Sequence, residues 1–197
     1  MPSQSIDDRA LRDLMLPELP PSMAQHIDRV VALADQLAAR HRLDVAQVRL
    51  SAQGHDLLRA VPPEELLARA EARGLTIDPV ERAAPVILHG PLGALELEER
   101  FGLENRAALN AIVWHTSGHP DYGPEDWAMF VADKVEPAKV ARTPELEPIR
   151  VLADRSLESA ALAYLDFRLE EAVARGQQVH PMSTLARNAL LRAGFSR

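Results

Sequence analysis

Residues 22–41 read SMAQHIDRVVALADQLAARH. Val30, Leu33, Ala34, Leu37 and Ala38 recur at the 3.6-residue spacing by which an α-helix turns one apolar stripe to a core. Ser22 stands where an N-cap would, and His26 lies one turn before Val30 on the same inward stripe. Helical patterning of this kind continues along the chain, with no convincing period-2 run, internal repeat or low-complexity tract. Ala, Leu, Arg and Glu dominate while aromatic residues make up only 4%. That mixture favours helices and lacks the Val, Ile, Thr, Tyr and Phe alternation of a β-sandwich. At 197 residues the chain suits one core, and the expected architecture is a single all-α bundle of roughly nine helices.

Outward from that helix, capping and breaking residues mark the other elements. Residues 1–21, ending in the Pro-rich Leu16–Pro21 stretch, read as an N-terminal extension: a short amphipathic piece, then a linker. The domain proper is expected over 22–197. Asp44 caps a helix running through Val48 and Leu50 to His55-Asp56-Leu57-Leu58. Pro62-Pro63 opens another that Gly74 ends, and Asp78-Pro79 starts a shorter one. His89-Gly90-Pro91 punctuates the chain before a helix ending near Phe101-Gly102. A helix over about 104–115 stops at Gly118-His119-Pro120. Pro124 begins the helix that carries Asp133, and Pro137 helps to end it. Pro148 to Arg175 reads as one long helix stopped by Gly176, and His180-Pro181 separates it from a last helix ending near Arg192.

A net charge of −7 leaves no basic footprint for a nucleic-acid polymer, although a local pocket for a small polyphosphate is compatible with it. The absence of cysteine excludes disulfides, thiolate zinc sites and cysteine nucleophiles, so any metal must be held by imidazole and carboxylate. No apolar stretch approaches the roughly 20 residues of a membrane span, and the N-terminus is polar rather than signal-like. The expectation is a soluble, cytoplasmic protein with no membrane partner.

The chemistry is concentrated in six residues: His26, His55, Asp56, His89, His115 and Asp133. Adjacent helical residues point about 100° apart, so His55 and Asp56 can meet one ion only near a helix end, or when two ions share them. A carboxylate has two oxygens and can bridge two ions, whereas an imidazole binds one. Taken alone the dipeptide is equally well explained by a His-Asp hydrogen bond. Asp133 follows Trp127-Ala128-Met129-Phe130-Val131-Ala132, and a carboxylate facing such a core costs several kcal/mol unless paired or metal-bound. The alternative is a helix face that reaches solvent. His115, after Leu109 to Trp114, poses the same question more mildly, since core histidines are usually satisfied by hydrogen bonds. His41, His119 and His180 read as ordinary.

Taken in order, the set resembles the HD-domain superfamily of metal-dependent phosphohydrolases, whose pattern is His, then His-Asp, then Asp on separate helices. His26, His55-Asp56 and Asp133 fill that pattern, and His89 and His115 are the additional histidines of its binuclear members. Three stretches look more narrowly like the YqeK family of symmetrical diadenosine tetraphosphate hydrolases, which are di-iron enzymes. They are Leu88-His89-Gly90-Pro91-Leu92-Gly93-Ala94, Asn110-Ala111-Ile112 leading to His115-Thr116-Ser117-Gly118, and Ala132-Asp133 with Glu136-Pro137. His180-Pro181 with Ala186-Arg187-Asn188 matches the same family's C-terminal signature. The likeness spans about residues 22 to 190. Departures lie at Met23, where a basic residue is usual, at Ser51-Ala52-Gln53-Gly54, at Arg59 in place of Lys, and in the loop Gly118 to Gly123.

The resemblance implies an HD-domain helical bundle holding two divalent ions, with Asp56 bridging them. His26, His55 and Asp133 would complete one ion; His89 and His115 would serve the other. Iron is the expected metal, with manganese or another transition metal also compatible with imidazole and carboxylate ligands. Asp56 and Arg59 are the expected catalytic residues. Arg59 and Lys134 are candidates for polyphosphate charge, Thr116 and Ser117 for phosphate hydrogen bonds, and Arg187 and Asn188 for nucleotide contacts. Surface solvation of the cations, and capping by the hydroxyls, are the plain alternatives. The implied activity is symmetrical cleavage of diadenosine tetraphosphate, or another dinucleoside polyphosphate, to two ADP or other nucleoside diphosphates. Hydrolysis of another nucleotide or phosphate ester and a non-catalytic nucleotide-sensing module are the alternatives. A homodimer stays open.

Overall fold

The computed structural model describes residues 6–197, so the first five residues of the expected N-terminal extension lie outside it. Among the described residues there are helices and no strands, as the composition requires. In chain order they are α1 (Asp8–Met15), α2 (Pro21–His41), α3 (Val45–Gly54), α4 (Pro63–Ala72), α5 (Pro79–Ala83) and α6 (His89–Phe101). There follow α7 (Arg106–Trp114), α8 (Pro124–Val135), α9 (Pro137–Arg142), α10 (Glu147–Ala153), α11 (Leu157–Ala174) and α12 (Pro181–Arg192). Short 3₁₀ turns precede α6 and α10 and follow α1.

The count comes close to expectation, and the surplus has local causes. Pro148–Arg175 is not one helix. Ser156 takes extended dihedrals and accepts from the Ser159 amide, so α10 ends at Ala153 and a capped α11 turns back against it. Pro137 does more than terminate α8. Glu136 is extended, its carboxylate accepts from the Ala138 amide, and Pro137 opens α9 at the position where a missing N–H costs nothing. Ser22 is not a cap: α2 starts one residue earlier, on Pro21. His89-Gly90-Pro91 is not a break before α6 but its first turn. An amide at residue 91 would have had no partner inside the helix, so the proline is tolerated. Asp44, Asp78 and Asn105 cap their helices through side-chain oxygens.

Two apolar cores meet along the helices that matter for function. One gathers Val30, Ala34, Val48, Ala52, Phe130 and the inner faces of α10 and α11; the other gathers Leu11, Met15, Ile27, Leu50, Leu97 and Ile112. Leu11 and Met15 of α1 are fully buried in the second. Helices α2, α3 and α7 contribute to both, so residues between their two apolar faces sit on the seam. Phe130 is fully buried, a burial that contributes about 1.5–3 kcal/mol for a side chain of that class. Two glycines permit the close approach there. A Cβ on Gly54 would lie 2.7 Å from Leu97 Cδ1 and 2.9 Å from Ile112 Cδ1. A Cβ on Gly90 would lie 2.7 Å from the Val113 carbonyl oxygen.

Candidate metal centre

All six candidate residues converge on one point of the seam. His26 projects from the second turn of α2, His55 caps the C-terminus of α3 with Asp56 beside it, and His89 begins α6. His115 caps the C-terminus of α7, and Asp133 lies near the end of α8. The His-Asp pair thus occurs at a helix end, where neighbouring side chains can turn to a common centre. Asp56 is 6% exposed and Asp133 3%, so neither carboxylate is a solvated helix face.

The two oxygens of Asp56 face different pairs of histidines. Oδ1 is 3.1 Å from His89 Nε2 and 3.4 Å from His115 Nε2. Oδ2 is 3.5 Å from both His26 Nε2 and His55 Nε2. Asp133 closes the second side, its Oδ1 3.2 Å from His26 Nε2 and 3.5 Å from His55 Nε2. Two ligand sets that could each hold an ion result, His26-His55-Asp56 and Asp56-His89-His115, sharing the one carboxylate.

Local backbone fixes the tautomers. His55 Nδ1 donates to the Ala52 carbonyl at 2.7 Å, His115 Nδ1 to that of Ile112 at 2.7 Å, and His89 Nδ1 to that of Val86. A carbonyl oxygen only accepts, so in each neutral ring the proton is on Nδ1 and Nε2 presents a lone pair. His89 Nε2 and His115 Nε2 are nevertheless 2.9 Å apart, and buried His55 Nε2 has no hydrogen-bond partner. Opposed lone pairs and an orphaned buried nitrogen are unfavourable without a cation between them. The donor set therefore fits metal ions, with ring orientation fixed before any ion arrives.

Electrostatics agree. Burial drives the His115 imidazole down to about 4 against the pull of Asp56, so it is neutral at pH 7. Burial also lowers His26, but Asp133 and Asp56 outweigh it and raise that ring to about 9. Burial would raise Asp56, yet the surrounding imidazoles, His55 and the raised His26 among them, hold it well below the usual carboxylate range. For Asp133, likewise buried, Lys134 and Lys139 do most to hold the carboxylate ionised; both ammonium groups donate to it at 2.6 Å.

A cavity of about 520 Å³ adjoins this centre, within the range of small-molecule sites. Thr116, Ser117 and Lys134, each within two residues of a candidate ligand, line it, and so does Arg187. Thr116 Oγ1 is 3.5 Å from His115 Nε2, whereas the Ser117 hydroxyl donates to the Gly118 carbonyl at 3.0 Å and is occupied as a capping group would be. Arg187 is paired with Asp166. Arg59 is exposed, and neither it nor Asn188 lines the cavity. Sequence reasoning missed Lys139, Arg168 and Tyr164: the first bonds Asp133, and the other two line the cavity. Lys139 carried a usable signal, a cation two residues past Pro137, but its partner lay across that break.

Residues 23–138, more than half the chain, match the HD domain family, so the chain belongs to that family. HD domains bind divalent metals, and the shared His/Asp cluster is where such ions could be held here. Among named relatives, the symmetrical bis(5'-nucleosyl)-tetraphosphatase of Halalkalibacterium halodurans is 27% identical over 178 residues, 90% of this chain and 94% of that protein. The protein of the same name from Bacillus subtilis is 28% identical over 169 residues, 84% and 88% of the two chains. The crystal structure of a predicted HD superfamily hydrolase from Clostridium acetobutylicum superposes with a TM-score of 0.87 at 23% identity. It covers 96% of this chain and 99% of that one, which establishes the fold. No helix among the described residues is long and apolar enough to cross a membrane.

Proposed function

We propose that this chain hydrolyses dinucleoside polyphosphates with two divalent ions, cutting diadenosine tetraphosphate symmetrically into two ADP in the cytoplasm. The observation that carries the reading is Asp56, whose two oxygens face two separate histidine pairs. His26, His55, Asp56 and Asp133 would hold one ion, and Asp56, His89 and His115 would hold the other. Imidazole and carboxylate without thiolate suit iron, and manganese as well. When bound, such a pair supplies a nucleophile from water at neutral pH and offsets charge on the phosphoryl oxygens.

The protein's own groups have distinct tasks. Asp56 and Asp133 bring fixed negative charge, and the backbone-held imidazoles keep their Nε2 atoms aimed inward. Lys134 is 8% exposed, bonded to Asp133 and on the cavity wall, which supports its ammonium as a contact for a phosphate that extends from the cluster into the cavity. Arg168, paired with Glu171, and Arg187, paired with Asp166, line the same space, while Val86, Ile87 and Leu165 offer apolar wall for a nucleoside. Thr116 remains a candidate phosphate donor. Arg59, Ser117 and Asn188 are less well placed for contact. The symmetrical cut is carried over from the relatives' names, and the cationic side chains on the cavity wall, Lys134, Arg168 and Arg187, are what a polyphosphate could recruit from their carboxylate partners.

Chromatographic product analysis with diadenosine tetraphosphate tests this directly. Two ADP per substrate, with activity lost to a chelator and restored by iron or manganese, is the expected result. A mono- plus triphosphate split, or no turnover in the metal-loaded protein, would replace this substrate by another nucleotide or phosphate ester.

A further inference from the structure

Three of the four imidazoles are oriented alike, and the fourth is not. His55, His89 and His115 stand at helix ends, where Nδ1 reaches the carbonyl three residues back. His26 lies within α2, where such carbonyls are already used by the helix's own amides. Its Nδ1 faces Glu136 Oε1 at 3.4 Å instead. Glu136 is completely buried, and a carboxylate in that position must be satisfied from all sides. Oε2 accepts from Arg29 Nε at 2.8 Å and from the Ala138 amide at 2.8 Å, and Arg29 Nη2 reaches Oε1 at 3.5 Å. Arg29 stands one turn after His26 on the same helix. Helix α2 thus presents an imidazole together with the cation that fixes the imidazole's partner.

We infer that Glu136, locked by Arg29, is the positioning residue for His26, holding its Nδ1–H so that Nε2 is presented to an ion beside Asp56 and Asp133. This rests on the two-ion reading above. A carboxylate on the far nitrogen fixes the ring and raises its basicity as a ligand, and loss of such a partner typically weakens metal binding about 10–100-fold. Glu136 also starts α9 by accepting from Ala138, so a purely structural role must be separated from this one.

The test is Mn²⁺ titration of the metal-free full chain, alongside its thermal unfolding, for wild type, Glu136→Gln, Glu136→Ala and His26→Ala. Glutamine keeps the length and can still accept from Ala138. Glu136→Ala is expected to weaken one of two Mn²⁺ sites about 10–100-fold, with Glu136→Gln lowering it in the same direction and the other site unchanged. Should the alanine variant fail to fold, the glutamine variant decides. A lowered melting temperature with wild-type Mn²⁺ affinity would make Glu136 a helix cap only and overturn the inference. Wild-type affinity in both Glu136 variants, with loss in His26→Ala, would also overturn it while leaving the two-ion site standing. Wild-type affinity in His26→Ala as well would remove the two-ion reading itself.

Discussion

Gly90→Ala should both destabilise the protein and loosen its metal centre, while Gly93→Ala, one turn along the same helix, should do neither. An alanine Cβ at position 90 would lie 2.7 Å from the Val113 carbonyl, 3.1 Å from that of Ile112 and 3.4 Å from His115 Nδ1. The two nearest atoms are backbone, so no rotamer change relieves the contact. Reaching ordinary van der Waals separation requires α6 to move from the end of α7 by roughly 0.7 Å. Overpacking of this kind costs about 1–3 kcal/mol, against a helix-propensity gain of at most about 1 kcal/mol. The net loss, about 0–2 kcal/mol against the full gain, corresponds to a melting temperature lower by up to roughly 8 °C for a chain of this size. At position 93 the added Cβ meets nothing within 4 Å, so only the propensity gain of about 0.5–1 kcal/mol remains.

Because the displaced ends carry His89 and His115, whose Nε2 atoms are 2.9 Å apart, the same movement opens the ligand pair. Thermal unfolding of the metal-free variants gives the stability difference, and Mn²⁺ titration gives the effect on the centre. A Gly90→Ala protein that melts at or above wild type and binds Mn²⁺ equally well would refute the claim that glycine is needed for this approach.

Asp56→Ala should abolish metal stoichiometry and hydrolysis together, because it removes the carboxylate that both histidine pairs face; unchanged metal content by elemental analysis would sink the site assignment. Asp133→Asn should destabilise the metal-free protein by about 3–5 kcal/mol in denaturant titration, since it leaves the buried Lys134 ammonium without its counter-charge; a change under 1 kcal/mol would mean that Lys134 reaches water. Metal-free stability should fall on both sides of about pH 6.5. His115 binds its proton near 4 in the fold against about 6.5 unfolded, so its contribution is present above 6.5 and lost as pH falls through 4. His26 is raised to about 9, so its contribution is present below 6.5 and lost as pH rises through 9. A flat profile from pH 4.5 to 9 in chelator would contradict both assignments.

The parts of this molecule legible in its sequence are those governed by neighbours along the chain. The apolar stripe of 22–41 places His26 on an inward face because periodicity is a local property, and Asp133 is buried, one of the two alternatives its run of apolar neighbours left open. Caps at Asp44 and Asp78 were likewise readable, being side chains that satisfy amides two or three residues on. The break at Ser156 was hidden because Pro148–Arg175 has helical composition on both sides of it, which masks the local cap that Ser156 supplies to α11 where it packs on α10. The surroundings of the metal centre were illegible for a stronger reason. Glu136 meets Arg29 across 107 residues and His26 across 110, and no spacing rule connects positions so far apart. Sequence order can therefore nominate ligands as an ordered set, although the local context of each one alone leaves a plainer reading open. What orients them is long-range: a carboxylate chosen by the crossing of α2 with the end of α8, and a glycine chosen by the contact of α6 with α7. The least legible residues should consequently tune affinity rather than decide whether a metal binds at all, which is the graded loss expected of Glu136→Gln beside the complete loss expected of Asp56→Ala.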